Sequence, residues 1–110
     1  EKNEIKVVND QTGSPTYTKD LTKEIIWVIN QACKNKGYGV YHATNSGTCT
    51  WYEFANEISR LKLLNCKINP CSANEFPRDA KRPRYSILNN NKLPKLRSWK
   101  DALKEYLEGD

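Results

Sequence analysis

Short apolar runs alternate with helical periodicity along this chain, and that alternation restricts it to an α/β arrangement with parallel pairing of strands. Ile5-Lys6-Val7-Val8 reads as a strand. Leu21, Ile25, Val28, Ile29 and Ala32 then recur at i, i+4, i+7, i+8 and i+11, the stripe of an amphipathic helix running to about Lys34. Thr18 is placed to cap that helix, with Asp20 facing its positive end, and Asn35-Lys36-Gly37 to stop it. Val40-Tyr41-His42-Ala43-Thr44 reads as a second strand, and Asn45-Ser46-Gly47 as a turn. Thr50 and Glu53 have the spacing of a capping box, ahead of an inward stripe of Trp51, Phe54, Ala55, Ile58 and Leu61. Lys67-Ile68-Asn69-Pro70 is a third extended piece, which Pro70 confines to an edge or an end. Residues 72–97 lack periodicity and read as an ordered loop with a helical turn near Ala73-Asn74-Glu75. Ser98 and Asp101 open a last helix, with Trp99, Ala102, Leu103 and Tyr106 inward and Gly109 at its end. The expected fold class is α/β: a small, partial domain of short strands and about three main helices. Three strands are few, so this half-sheet is expected to find neighbours elsewhere in a longer chain.

With 110 residues the chain supports one small domain. Apolar residues make up 37% of it, so the core is expected to be modest and to draw its bulk from three Trp, six Tyr and two Phe. There is no Met, even at position 1, which reads as a processed or excised piece of a longer protein. No stretch approaches the 18 or so apolar residues of a membrane span, so a soluble chain is expected. Cys33, Cys49, Cys66 and Cys71 form no C-x-x-C pair, and His42 is the sole histidine. Those spacings argue against a metal site and fit reduced thiols in a cytoplasmic protein; two disulfides remain arithmetically open, though an interior this apolar does not need them.

The net charge of +5 is unevenly placed. Residues 1–77 hold nine Lys/Arg against eight Asp/Glu, and residues 78–110 hold nine against five. Phosphate, in a nucleotide or a nucleic acid, is a candidate partner for such a basic stretch; composition alone favours a solvated charged face. The chain has neither G-x-G-x-x-G nor G-x-x-x-x-G-K, and Gly37-Tyr38-Gly39 leads into a strand instead of a helix. No catalytic constellation can be assembled, since His42 falls within an expected strand and Glu53 is occupied with capping. Binding groups are better supplied. Gly13 permits close backbone approach, Pro15 stiffens the loop, and Gln11, Ser14 and Thr16 offer polar groups near a helix start. Arg78, Lys81, Arg82 and Arg84 cluster further on, beside Tyr85 and Ser86, and the Arg fork suits phosphate oxygens. A diphosphate would sit between these two loops if the fold brings them together.

The blocks VVNDQTGSPTYTKDL, GVYHATNSGTCTWYEFANEI, EFPRDAKRPRYSILNNNKL and RSWKDALKEYL resemble, in order and spacing, the C-terminal part of dTDP-4-dehydrorhamnose reductases, members of the extended short-chain dehydrogenase/reductase superfamily. The resemblance covers about residues 5 to 107. It implies the substrate-binding part of an enzyme that reduces dTDP-4-dehydro-rhamnose to dTDP-rhamnose with NADPH or NADH. In that family the cofactor and the Y-x-x-x-K catalytic pair lie on an N-terminal Rossmann domain. Neither that motif nor the dinucleotide motif occurs here, so residues 1–110 are expected to be a single substrate-binding fragment. Such a fragment would have no catalytic or cofactor-binding residue of its own and would be inactive alone. The resemblance places the loop Gln11, Gly13, Ser14, Pro15 and Thr16 beside the substrate nucleotide and Arg82 against its diphosphate. It leaves a homodimer open for the full-length protein.

Two other readings compete. Reductase-like chains also serve as non-catalytic regulatory modules, as the beta subunit of methionine adenosyltransferase does, and such a module would bind another enzyme without nucleotide-sugar affinity. A nucleic-acid binder would use the basic stretch 78–100, but no groove-reading helix or stacking platform accompanies it.

Overall fold

The computed structural model describes residues 4–34, 39–89 and 92–109. The elements run β1 (Glu4–Val8), β2 (Thr12–Gly13), α1 (Thr18–Cys33), β3 (Cys49–Thr50), α2 (Trp51–Lys62), β4 (Lys67–Cys71), a 3₁₀ turn (Ala73–Glu75) and α3 (Trp99–Glu108). This is the expected α/β class of three helices and short strands. β1 and β4 pair in parallel, from Glu4 opposite Lys67 to Val8 opposite Cys71. Pro70 lies opposite Val7 and is tolerated because β4 has a strand on one side only. β2 and β3 form a second, antiparallel pair, Thr12 opposite Thr50 and Gly13 opposite Cys49.

The buried centre is small. Cys49, Trp99 and Leu103 form it, and Phe54, Ile58, Leu61 and Leu107 pack against it. α2 therefore meets α3, with the Phe54 and Trp99 rings 5.8 Å apart. The capping box fixes where α2 begins: Glu53 N–H donates to Thr50 Oγ1 at 3.1 Å, and Thr50 N–H donates to Glu53 Oε1 at 2.8 Å. Ser98 caps α3 by accepting from the Lys100 amide, and Gly109 closes it, as the residue pattern implies.

Several expectations are corrected. Val40–Thr44 forms no strand, because no described strand lies beside it to complete a ladder. Trp51 and Tyr106 do not point inward; they are 55% and 51% exposed. Tyr106 instead meets the edge of Tyr17 outside the core. The α1 stripe is only partly used, since Ile25 and Ile29 are exposed. Thr18 is the first helical residue, and Tyr17 takes the cap position, its carbonyl accepting from the Leu21 amide. The stop assigned to Asn35-Lys36-Gly37 lies outside the described residues.

What anchors α1 is polar. Asn45 is 1% exposed, the most buried side chain described. Its Oδ1 accepts from the Tyr17 amide at 2.7 Å, and its Nδ2 donates to Asp20 Oδ2 at 2.8 Å and to the Arg97 carbonyl at 3.2 Å. Arg97 grips Asp20 with both prongs, Nε to Oδ2 at 3.0 Å and Nη2 to Oδ1 at 3.1 Å, and reaches Glu105 with Nη1 at 2.9 Å. The supposed turn 45–47 is thus a junction joining the start of α1 to the approach to α3. Backbone bonds extend it: Ser46 N–H donates to the Arg97 carbonyl, and Trp99 N–H donates to the Ser46 carbonyl.

Gly47 closes this junction at φ +89°, where an added Cβ would lie 3.0 Å from Trp99 Cδ1. Gly47→Ala is therefore expected to destabilise the fold by about 1–2 kcal/mol, from the left-handed backbone alone, with crowding of Trp99 in addition. Thermal unfolding followed by circular dichroism checks it; an unchanged midpoint would mean that the junction yields without cost.

Candidate functional site

The loop after β1 is tied down at every turn. Asn9 N–H donates to the Cys71 carbonyl at 2.9 Å. Both carboxylate oxygens of Asp10 accept from the Ala73 amide at 3.1 Å, starting the 3₁₀ turn. Thr12 is held on two sides. Against β3 it faces Thr50; on the other side its amide donates to the Arg84 carbonyl, and its carbonyl accepts from the Ser86 amide at 2.9 Å. Gly13 has a reason to lack a side chain, since a Cβ there would sit 3.0 Å from Ser86 Oγ. The Ser14 hydroxyl donates to the Gly47 carbonyl at 2.9 Å. A loop of 9–16 and a loop of 77–86 are thereby brought into one wall, with the first turn of α2 beside them.

Two adjoining clefts open on this wall. The larger, about 720 Å³, is lined among others by Gln11, Trp51, Arg78, Lys81, Arg82 and Arg84. The smaller, about 520 Å³, is lined by Gln11, Gly13, Ser14, Pro15, Trp51 and Arg82 among its residues, and is less polar. Gln11, Trp51 and Arg82 belong to both and form the ridge between them. Of the residues singled out from the sequence, Gln11, Gly13, Ser14, Pro15 and Arg82 line these clefts. Thr16 is exposed and lines neither. Trp51, which lines both clefts, was missed by sequence reasoning because it shares its helical spacing with the core-facing Phe54 and Ile58. An aromatic at the first helical position, directly after a cap, was the available signal.

Charge at the larger cleft is one-sided. Lys6 is spent on Glu75, Nζ to Oε1 at 3.1 Å, and that carboxylate raises the lysine's pKa. Asp10 is spent on the Ala73 amide. The side chains of Arg78, Lys81, Arg82 and Arg84 have no ion-pair or hydrogen-bond partner among the described residues. Four uncommitted cations facing one cleft favour an anion with several oxygens. Burial pushes the Cys49 thiol up to about 11, and His42 is exposed at a distance in sequence from both loops. Among the described residues no group of three His, Cys, Asp or Glu is placed to hold a metal ion, and no helix is long and apolar enough to cross a membrane.

Fold and clefts together define an α/β domain with two adjoining clefts, the larger of them lined by basic side chains. The chain belongs to the RmlD substrate binding domain family, whose match extends over residues 1–110. It is 40% identical over 111 aligned positions to the spore coat polysaccharide biosynthesis protein SpsK of Bacillus subtilis, covering 97% of this chain and 38% of that one. Its fold matches a dTDP-4-dehydrorhamnose reductase of Clostridium acetobutylicum with a TM-score of 0.88 at 46% identity, over 97% of this chain and 39% of the other. It also matches the dTDP-4-dehydrorhamnose reductase of Bacillus anthracis in complex with NADP, with a TM-score of 0.85 at 36% identity, over 99% of this chain and 39% of the other. The chain thus spans less than two-fifths of the length of these relatives.

Proposed function

We propose that this chain is the substrate-binding part of a dTDP-4-dehydrorhamnose reductase and holds a dTDP-sugar across the two clefts. The observation that carries this reading is the set of four uncommitted cations lining a cleft beside the wall that the two loops form. In it, Arg82 bears on the diphosphate and the loop Gln11–Pro15 borders the nucleotide; Thr16 serves the approach to α1. NADPH or NADH, with the catalytic Tyr and Lys, would be carried by an N-terminal Rossmann domain, so the chain alone reduces nothing. The exposed side chains of Ile25, Ile26 and Ile29 on α1 support packing against such a domain. A cytoplasmic location fits the free thiols of Cys49, Cys66 and Cys71.

Calorimetric titration of the chain with dTDP-rhamnose, with NADPH in parallel, tests the proposal. Saturable binding of the sugar nucleotide without binding of NADPH is expected. NADPH binding, or affinity for neither ligand, would count against it, and the second result would favour a non-catalytic interaction module.

A further inference from the structure

We infer that Trp51 is the surface on which the nucleobase of the ligand stacks, an assignment that rests on the nucleotide-sugar reading above. Trp51 is the first residue of α2, and the capping box of Thr50 and Glu53 fixes its backbone. A perpendicular contact with Phe54, centroids 6.5 Å apart, steadies the indole. Even so, 55% of the residue stays exposed. A lone exposed aromatic needs no explanation. This one stands on the ridge common to both clefts, together with the uncommitted guanidinium of Arg82 and the amide of Gln11.

That combination matches the parts of a nucleoside diphosphate. A planar base gains from an indole face, which is indifferent to hydrogen-bond pattern. The diphosphate gains from a planar fork beside it. The two groups of the ligand are joined by one pentose, and the two protein groups share one ridge. The less polar cleft, with Pro15, Phe54 and Pro83 in its lining, then accommodates the base side, and the cationic cleft the phosphates.

Calorimetry of the 110-residue chain, of Trp51→Ala and of Trp51→Phe, each with dTDP and with inorganic pyrophosphate, tests the assignment. Stacking of one base predicts a loss of about 5- to 150-fold in dTDP affinity for Trp51→Ala. Pyrophosphate affinity is expected to be unchanged, and Trp51→Phe to recover most of the loss. Unchanged dTDP affinity in Trp51→Ala, or an equal loss for both ligands, would overturn the stacking role and leave the nucleotide-sugar reading standing. Absence of dTDP binding by the parent chain would overturn both.

Discussion

Replacing Asp20 by Ala is expected to lower the unfolding free energy by about 3 kcal/mol at neutral pH, because it removes charge-assisted bonds from a buried carboxylate. Asp20 is 6% exposed and accepts from Arg97 twice and from Asn45 once. Its loss frees Arg97 only in part, since Glu105 still binds that guanidinium, so the penalty falls short of a wholly stranded charge. For a domain of this size the midpoint of thermal unfolding would drop by about 10 °C or more. The pH dependence has a definite sign. The Arg97 fork holds the Asp20 carboxyl below its ordinary value, overcoming the opposing effect of burial. Stabilisation from Asp20 is therefore complete above the ordinary aspartate range and is lost as pH falls through the depressed value. Glu24, one turn further along α1, acts the other way: burial raises its pKa, and its Oε2 has no hydrogen-bond partner. Comparing parent and Asp20→Ala at each pH cancels Glu24 and isolates Asp20. Urea unfolding at neutral pH and near pH 3 measures the gap, which should be wider at the first than at the second. A gap that is small at neutral pH would mean that the junction does not anchor α1.

Arg82→Ala is expected to weaken dTDP-rhamnose binding about 10- to 100-fold, the loss of one charge-assisted contact of about 1.5–3 kcal/mol. Fold stability should change by no more than about 0.5 kcal/mol, because this exposed side chain has no partner in the protein to lose. Arg82→Lys should restore only part of the affinity, since an ammonium keeps the charge without the fork. Calorimetric titration of the three proteins separates these cases. Equal affinities throughout would remove Arg82 from the site and shift the phosphate to Arg78, Lys81 or Arg84.

The features legible from residues were those written locally. The capping box at Thr50 and Glu53, the Ser98 cap and the Pro70 edge strand each depend on residues within one turn or one strand. The interior of α3 was legible at Trp99, Ala102 and Leu103, which are buried, but not at Tyr106, which the same stripe places inward and which is 51% exposed. Partnership was not legible. Val40–Thr44 has strand composition, yet a strand exists only with a neighbour. Ile25 and Ile29 follow helical periodicity, which marks a face without saying what covers it. Asn45 carries no periodic signal at all; its importance comes from Tyr17, Asp20 and Arg97, remote in sequence and joined only by the fold. Gly13 and the Arg cluster marked the two loops as chemically suggestive, but their meeting was only a condition of that reading. Its geometry rests on Thr12 bonding to Arg84 and Ser86, more than 70 positions away.

The most direct test of the central claim is amide chemical-shift mapping of the isotope-labelled chain during titration with dTDP-rhamnose. The perturbed amides are expected to cluster at Gln11 to Ser14, at Trp51 and at Arg82 to Ser86, with the junction around Asn45 and the outer turns of α3 unaffected. Perturbations confined to one loop, or lying on α1 and α3, would contradict a sugar-nucleotide site built jointly by the two loops.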